Sequence, residues 1–162
     1  MQIAYAPVGR FYQDQDYNLT NIAQGFDVQV LETLCDVSED AGVEICYLSK
    51  YPQNVTQAAL DALHHTGRIS RIDSLQNLQD TCCMVTTTSH IAYAYAFYYQ
   101  KPVIFFLPAF SGITLDSPQF AVLNIFGIFA HSLESLREKV LFCVHDSTPS
   151  QKIGDFLARS LL

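Results

Sequence analysis

The sequence predicts an α/β protein: a single three-layer α/β/α domain on a six-stranded parallel sheet. Three observations predict it. Short apolar runs recur along the chain, and they are continuously apolar rather than alternating, as strands buried on both faces are. Most are separated by longer segments whose apolar residues repeat at helical spacing, so the order reads β-α-β-α-β-α-β-α-β-β-α-α. Finally, 49 % of residues are hydrophobic and only 15 % charged, against an average of about 25 % charged, which excludes a disordered chain. Domains hold roughly 100 to 200 residues, so 162 residues make one domain, and no Gly- or Ser-rich linker or internal repeat divides it.

The elements follow in order. Residues 3–8 are the first strand, stopped by Pro7 and Gly9. Residues 10–24 are polar and aromatic with no clear period and read as a loop. Phe26, Val30, Leu31, Leu34 and Cys35 recur at helical spacing, and Gly42 sits where a glycine closes a helix. Residues 43–48 are the second strand, broken by Pro52; Asn54 with Gln57 is an N-cap signature for a helix to Gly67, with His64 and His65 in its last turn. Residues 69–72 are a brief third strand, after which Asp73 caps a short helix holding Leu75 and Leu78. Residues 82–85 are the fourth strand. Residues 91–99 alternate small and aromatic side chains; a period of two admits a strand, but the alanine content and the place between two buried strands favour a helix. Residues 100–102 turn into a fifth strand at 103–107, and a loop leads to the sixth at 125–130. Ser132 caps a helix with Leu133, Leu136, Val140, Leu141 and Val144 on one face. Thr148-Pro149-Ser150-Gln151 combines a capping box with proline at the first helical position, and the closing helix buries Ile153, Phe156, Leu157 and Leu161. Right-handed crossovers in such a chain favour the strand order 3-2-1-4-5-6, a Rossmann-like arrangement.

Lys plus Arg number 9 and Asp plus Glu 16, a net charge of −7, which argues against broad binding of nucleic-acid phosphates. Charge this sparse leads us to expect an exposed apolar patch and weak self-association. Five cysteines, an odd number, read as structural thiols in a reducing, cytoplasmic setting; Cys82 and Cys83 are adjacent, without the C-x-x-C spacing of zinc or redox sites. The five histidines lack H-x-x-x-H or H-x-H spacing, and no metal site is expected. The longest apolar runs fall well short of the roughly 20 residues of a membrane helix, so no transmembrane segment is expected, and the start of the chain lacks the charged and apolar regions of a signal peptide. The sequons at Asn18 and Asn54 are expected to be accidental. Strand-like residues begin directly after Met1, which fits a domain cut from a longer protein.

In an open α/β sheet, ligands bind outside the carboxyl ends of the strands. Three segments qualify: Pro7-Val8-Gly9-Arg10, Ser49-Lys50-Tyr51-Pro52, and Thr86-Thr87-Thr88-Ser89-His90. In the third, four hydroxyl residues lead into a helix N-terminus, whose free N–H groups and positive dipole suit an anion. One reading is that a single Thr or Ser merely caps the helix. The other is an anion site, to which His90 adds charge and Arg10 and Lys50 converge from neighbouring strand ends. No G-x-G-x-x-G, G-x-x-x-x-G-K-[ST] or G-x-S-x-G is present, so the dinucleotide fingerprint, the P-loop and the hydrolase elbow are excluded. The tyrosines of residues 91–99 read as core or interface packing rather than base-stacking groups.

These motifs together resemble the donor-site core of GT-B glycosyltransferases, most of all the branch of CDP-glycerol glycerophosphotransferases and capsule-polysaccharide transferases. Asp80 precedes the strand, the Thr86-Thr87-Thr88-Ser89 turn stands where that branch has Thr-Asp-x-Ser-Ser, and Lys101-Pro102-Val103-Ile104-Phe105 matches its Lys-Pro-Val/Ile-Ile-Phe. Tyr5-Ala6-Pro7-Val8-Gly9-Arg10 looks like its Tyr-Ala-Pro-Thr-x-Arg, Ser49-Lys50-Tyr51-Pro52 occupies the place of its Lys/Arg-x-His-Pro, and residues 148–162 are similar to its closing helix. Three positions depart: Tyr51 replaces the His, Thr87 the Asp and Val8 the Thr.

The resemblance implies the C-terminal, donor-binding half of a GT-B protein. Its ligand is a nucleotide-activated sugar or polyol, with no further cofactor, and its setting is cell-surface polysaccharide synthesis with peripheral membrane association. An N-terminal acceptor half is the implied partner. The implied phosphate-binding set is Arg10, Lys50, Thr86, Thr87, Thr88 and Ser89, with Tyr51 and His90 accessory. A non-catalytic Rossmann-like binding module, favoured by Tyr51 and Thr87, and a sugar-nucleotide 2-epimerase are the alternatives.

Overall fold

The computed structural model describes residues 1–6, 17–48, 69–72, 74–86, 89–107 and 127–160, and of residues 17–28, 71, 89 and 90 the backbone alone. Six strands are present: β1 (Gln2–Tyr5), β2 (Glu44–Leu48), β3 (Ile69–Ile72), β4 (Thr81–Thr86), β5 (Val103–Phe106) and β6 (Ile128–Ala130). They form one sheet in the order β3-β2-β1-β4-β5-β6, and every pair is parallel. The expected fold class and strand order are both observed. Four described helices flank the sheet: α1 (Tyr17–Ala41), α2 (Ser89–Tyr99), α3 (Leu133–His145) and α4 (Thr148–Ser160).

Because side chains alternate across a strand, a sheet covered on both faces builds two cores. Ile3, Tyr5, Ile45, Tyr47, Cys83, Val85, Ile104 and Phe106 point to one face, where they meet Leu31 and Leu34 of α1 and Leu136 and Val140 of α3. Ala4, Ala6, Cys46, Leu48, Met84, Val103, Phe105 and Leu107 point to the other, where they meet Ala92, Tyr95 and Ala96 of α2 and Ile153 of α4. On α2 the buried positions are 92, 95 and 96, a helical period rather than a strand's period of two. Ala92 and Ala96, one turn apart, leave room for α2 to sit close on the sheet.

Helix ends follow local chemistry. Gly42 adopts φ +67°, and the Val43 N–H reaches back five residues to the Ser38 carbonyl (3.2 Å), closing α1 as expected. Ser132 accepts from the Ser135 N–H (3.1 Å) and caps α3.

Several boundaries differ from the sequence reading. Residues 17–24, expected as loop, belong to α1. Leu19, Ile22, Ala23 and Phe26 continue the spacing of the helix, and extending an existing helix costs far less than nucleating one. The turn before β4 is a single 3₁₀ turn, Leu75–Asn77, capped by Ser74 rather than Asp73; the Ser74 hydroxyl accepts from the Gln76 N–H at 3.2 Å. The Thr148 hydroxyl does not form the expected capping bond to Gln151. It donates to Asp146 Oδ1 (2.6 Å), and the Gln151 N–H goes to the Ser147 carbonyl (3.1 Å). The helix expected over residues 54–67, Asp73 and Leu161 lie outside the described residues.

Candidate functional site

Six parallel strands place all their carboxyl ends on one edge of the sheet. The chain winds from β1 through α1 to β2 across one face, and from β4 through α2 to β5 across the other. The point where these directions part, between β1 and β4, is where such sheets open a crevice. Tyr5 of β1 stands beside Tyr47 of β2 and Val85 of β4, and the Ala6 N–H donates to the Val85 carbonyl at 3.0 Å. The ends of β2, β1 and β4 therefore sit side by side, about 4.8 Å apart from strand to strand. The Tyr5 and Tyr47 rings pack beneath this edge with centroids 6.1 Å apart.

Thr86 is the last residue of β4, paired with Phe105 and only 1 % exposed. It belongs to the strand rather than to the turn after it. Three residues later α2 begins at Ser89, with His90 as its second residue. Helix α2 runs back against the strand direction to reach β5, so its N-terminus opens at the carboxyl edge. The first-turn N–H groups have no partner within the helix, and the dipole adds roughly half a positive charge. Of the predicted site residues, the structure thus places Thr86 and the backbone of Ser89 and of the accessory His90 together at the carboxyl end of β4. Arg10, Lys50, Tyr51, Thr87 and Thr88 lie outside the described residues; the first three follow β1 and β2, whose ends border the same crevice.

Hydroxyl groups fix the far end of α2. The Tyr95 hydroxyl shares a hydrogen bond with Thr81 Oγ1 (2.7 Å), which donates to the Leu78 carbonyl at 2.6 Å. Burial pushes the Tyr95 phenol far above its ordinary pKa, so it stays neutral and able to donate. The Tyr99 hydroxyl donates to the Leu75 carbonyl and accepts from the Leu78 N–H (3.3 Å), and Lys101 Nζ donates to the Gln79 carbonyl. These bonds tie α2 to the segment entering β4 and so hold the helix along the sheet, with its N-terminus at the crevice.

His131 escaped the sequence reading. It directly follows β6 at the same edge, and its Nδ1 lies 2.9 Å from the Leu107 carbonyl at the end of β5. The strand-end rule that selects the other three segments also selects it. It stands two strands from β4, about 10 Å away. Among the described residues, no group of three His, Cys, Asp or Glu side chains is placed to hold a metal ion, and no helix is long and apolar enough to cross a membrane. The exposed apolar side chains Phe97 and Tyr98 lie in the C-terminal half of α2, away from the crevice.

Several solved structures share this architecture. A protein described as a UDP-N-acetylglucosamine 2-epimerase from Listeria monocytogenes superposes with a TM-score of 0.63 at 16 % identity, over 94 % of this chain. The glycotransferase of kitacinnamycin superposes with a TM-score of 0.57 at 12 % identity, over 96 % of this chain. The domain is GT-B-like in fold. The chain spans 38 % of the length of each of these proteins. No family model matches the sequence, and no curated protein does.

Proposed function

We propose that this chain is the donor-binding half of a glycosyltransferase or polyol-phosphate transferase that uses a nucleotide-activated donor in cell-surface polysaccharide synthesis. One observation carries the reading. The end of β4 at Thr86, the N-terminus of α2 and the exits of β1 and β2 stand together at the carboxyl edge where the winding direction changes, in a domain that covers 38 % of each of the two solved structures named above. The GT-B-like fold supports it, as do the Lys101-Pro102-Val103 and Tyr5-Ala6-Pro7 segments quoted above.

In this reading the donor diphosphate lies across the N-terminus of α2. Thr87, Thr88 and Ser89 supply hydroxyl and backbone donors just past the buried Thr86, which ends β4, each charge-assisted hydrogen bond worth roughly 1.5 to 3 kcal/mol before desolvation. Arg10 and Lys50 supply countercharge, because a dipole equivalent to about half a charge does not neutralise two phosphates. Tyr51 adds one hydroxyl and His90 a titratable donor. The acceptor is held by a second α/β half, and the catalytic groups come from the joined halves.

Calorimetry with UDP, CDP and GDP tests the reading. One of them should bind, Arg10→Ala should weaken it most, and Thr88→Ala with Ser89→Ala should weaken it less, all with an unchanged fold. Undiminished binding in both variants would move the site elsewhere. If no nucleoside diphosphate binds even at millimolar concentration, either binding requires the other half or the domain is a non-catalytic module, the reading favoured by Tyr51 and Thr87.

A second reading draws on the neighbour described as a 2-epimerase: the crevice holds a nucleotide sugar whose sugar ring, not an acceptor, is the reacting group. Incubating UDP-N-acetylglucosamine with the chain joined to its other half separates the two. Inversion at the sugar without an acceptor supports the epimerase, and turnover that needs an acceptor supports the transferase.

A further inference from the structure

A bulge in β4 sets three thiols in a row. Gln2 pairs with Thr81 and Ile3 with Cys83, so Cys82 is an extra residue opposite the β1 ladder. In a regular strand Cys82 and Cys83 would point to opposite faces. Here both border the core beneath α1 and α3, Cys83 inside it and Cys82 packed at its margin, with their Sγ atoms 3.9 Å apart. Cys143 of α3, a helix that packs on β4, stands in the same core as Cys83. Cys83 and Cys143 are buried and Cys82 is partly exposed, so the row runs from the surface inward.

We propose that Cys82, Cys83 and Cys143 form an oxidation site for hydroperoxides, in which Cys82 takes the oxidising equivalent and a Cys83–Cys143 disulfide between β4 and α3 stores it. The Cys82 thiolate attacks the peroxide; an S–O bond forms, the O–O bond breaks, and the alcohol leaves with a proton. Cys83 then attacks the sulfenic sulfur of Cys82, forming an S–S bond and expelling hydroxide, which departs as water. Cys143 attacks Cys83 Sγ and releases Cys82 as a thiol. In sum, two thiols and one hydroperoxide give one disulfide, one alcohol and one water.

Geometry sets the direction. Consecutive Cα atoms lie about 3.8 Å apart, short of the roughly 4.4 to 6.8 Å of an unstrained disulfide, so a bond between Cys82 and Cys83 is strained and exchanges readily. Exchange with Cys143 relieves that strain. The Cys83 thiol beside it, aided by the Lys101 ammonium, holds Cys82 below the ordinary thiol pKa, which favours its thiolate. Contact with Cys143 and Cys82, together with burial, pushes Cys83 well up and makes it a poor first nucleophile. This site is independent of the nucleotide crevice.

The test treats the reduced full chain with hydrogen peroxide, alkylates it under denaturing conditions and maps the products by mass spectrometry. The five alkylatable thiols should fall to three, with the cross-link between Cys83 and Cys143. Cys82→Ser, at the least buried position, should slow its formation by about tenfold or more, given the role of thiolate and exposure in Cys oxidation. Cys83→Ser should accumulate sulfenic acid at Cys82, trapped with dimedone, and Cys143→Ser should stop at the Cys82–Cys83 disulfide, while Cys35→Ser leaves the rate unchanged. Five thiols surviving the peroxide, a disulfide through Cys35 or Cys46, or an undiminished rate in Cys82→Ser would each overturn the proposal; the first two need no variant to fold.

Discussion

Thr81 holds a position that the sequence marks only as the edge of a strand. It is 2 % exposed, and its hydroxyl donates to the Leu78 carbonyl while bonded to the Tyr95 hydroxyl. The two groups are not equivalent. Thr81→Val leaves the buried Tyr95 hydroxyl without this partner and should cost about 1 to 3 kcal/mol, whereas Tyr95→Phe leaves Thr81 its carbonyl acceptor and should cost about 0.5 to 1.5 kcal/mol. Urea unfolding of both variants checks the order, and a larger loss in Tyr95→Phe would contradict it. Asp146 offers a second case. The N–H and hydroxyl of Thr148 both donate to its Oδ1, at 2.8 and 2.6 Å, and hold its carboxyl below the usual value. A folded-state pKa depressed in this way contributes stability that is complete above the unfolded carboxylate pKa near about 3.9 and is lost as pH falls through the lower folded value. Asp146→Asn should therefore lower Tm at neutral pH, with the gap closing in acid; a gap constant from about pH 7 to about pH 3 would contradict the assignment.

At the scale of elements, the predictable features are those set by neighbours in sequence. The Ser132 cap and the Gly42 stop follow from residue type and position, and both are observed. Ser132→Ala should cost about 0.5 to 2 kcal/mol, read from thermal melts, because it strips the Ser135 N–H of its acceptor while the rest of α3 stays intact. A change under a few tenths of a kcal/mol would mean that water replaces the cap fully. Features set by tertiary contact are harder to read. The hydroxyls of α2 look like packing groups in the sequence, yet Tyr95 and Tyr99 reach the backbone before β4 through bonds spanning a chain separation no local pattern reports. The start of α1 is obscured by the polar residues around it, since Asp14 and Asp16 stand just ahead of a continuous apolar spacing. The bulge at Cys82 is invisible in sequence because it depends on the register with β1.

At the scale of the molecule, strand order is legible because two rules act together: apolar strands demand cover on both faces, and right-handed crossovers then allow few topologies. The candidate site is legible only as a set of strand ends, because the ends of β1, β2 and β4 come from segments more than 30 positions apart and become neighbours only in the sheet. Thr86 and Ser89 stand out through their string of hydroxyls; His131, alone after a short edge strand, does not. The sheet is also the common wall of two cores that are separate among the described residues. Ile45 and Ile153 are both fully buried, the first on β2 beneath α1 and α3, the second on α4 facing the sheet beside α2. Ile45→Val and Ile153→Val should each cost about 0.5 to 1.5 kcal/mol, through one lost methylene and the small cavity left behind. Because the two side chains belong to separate cores, the double variant should show their sum to within about 0.5 kcal/mol. Yet every strand contributes alternate residues to both cores, so neither face can melt while the other stays ordered. All three variants should therefore unfold in a single transition, coincident in far- and near-ultraviolet circular dichroism. Two separated transitions, or a double variant far from the sum, would mean that the faces are not joined through the sheet as the alternation of Ile3 with Ala4 and Ile45 with Cys46 requires.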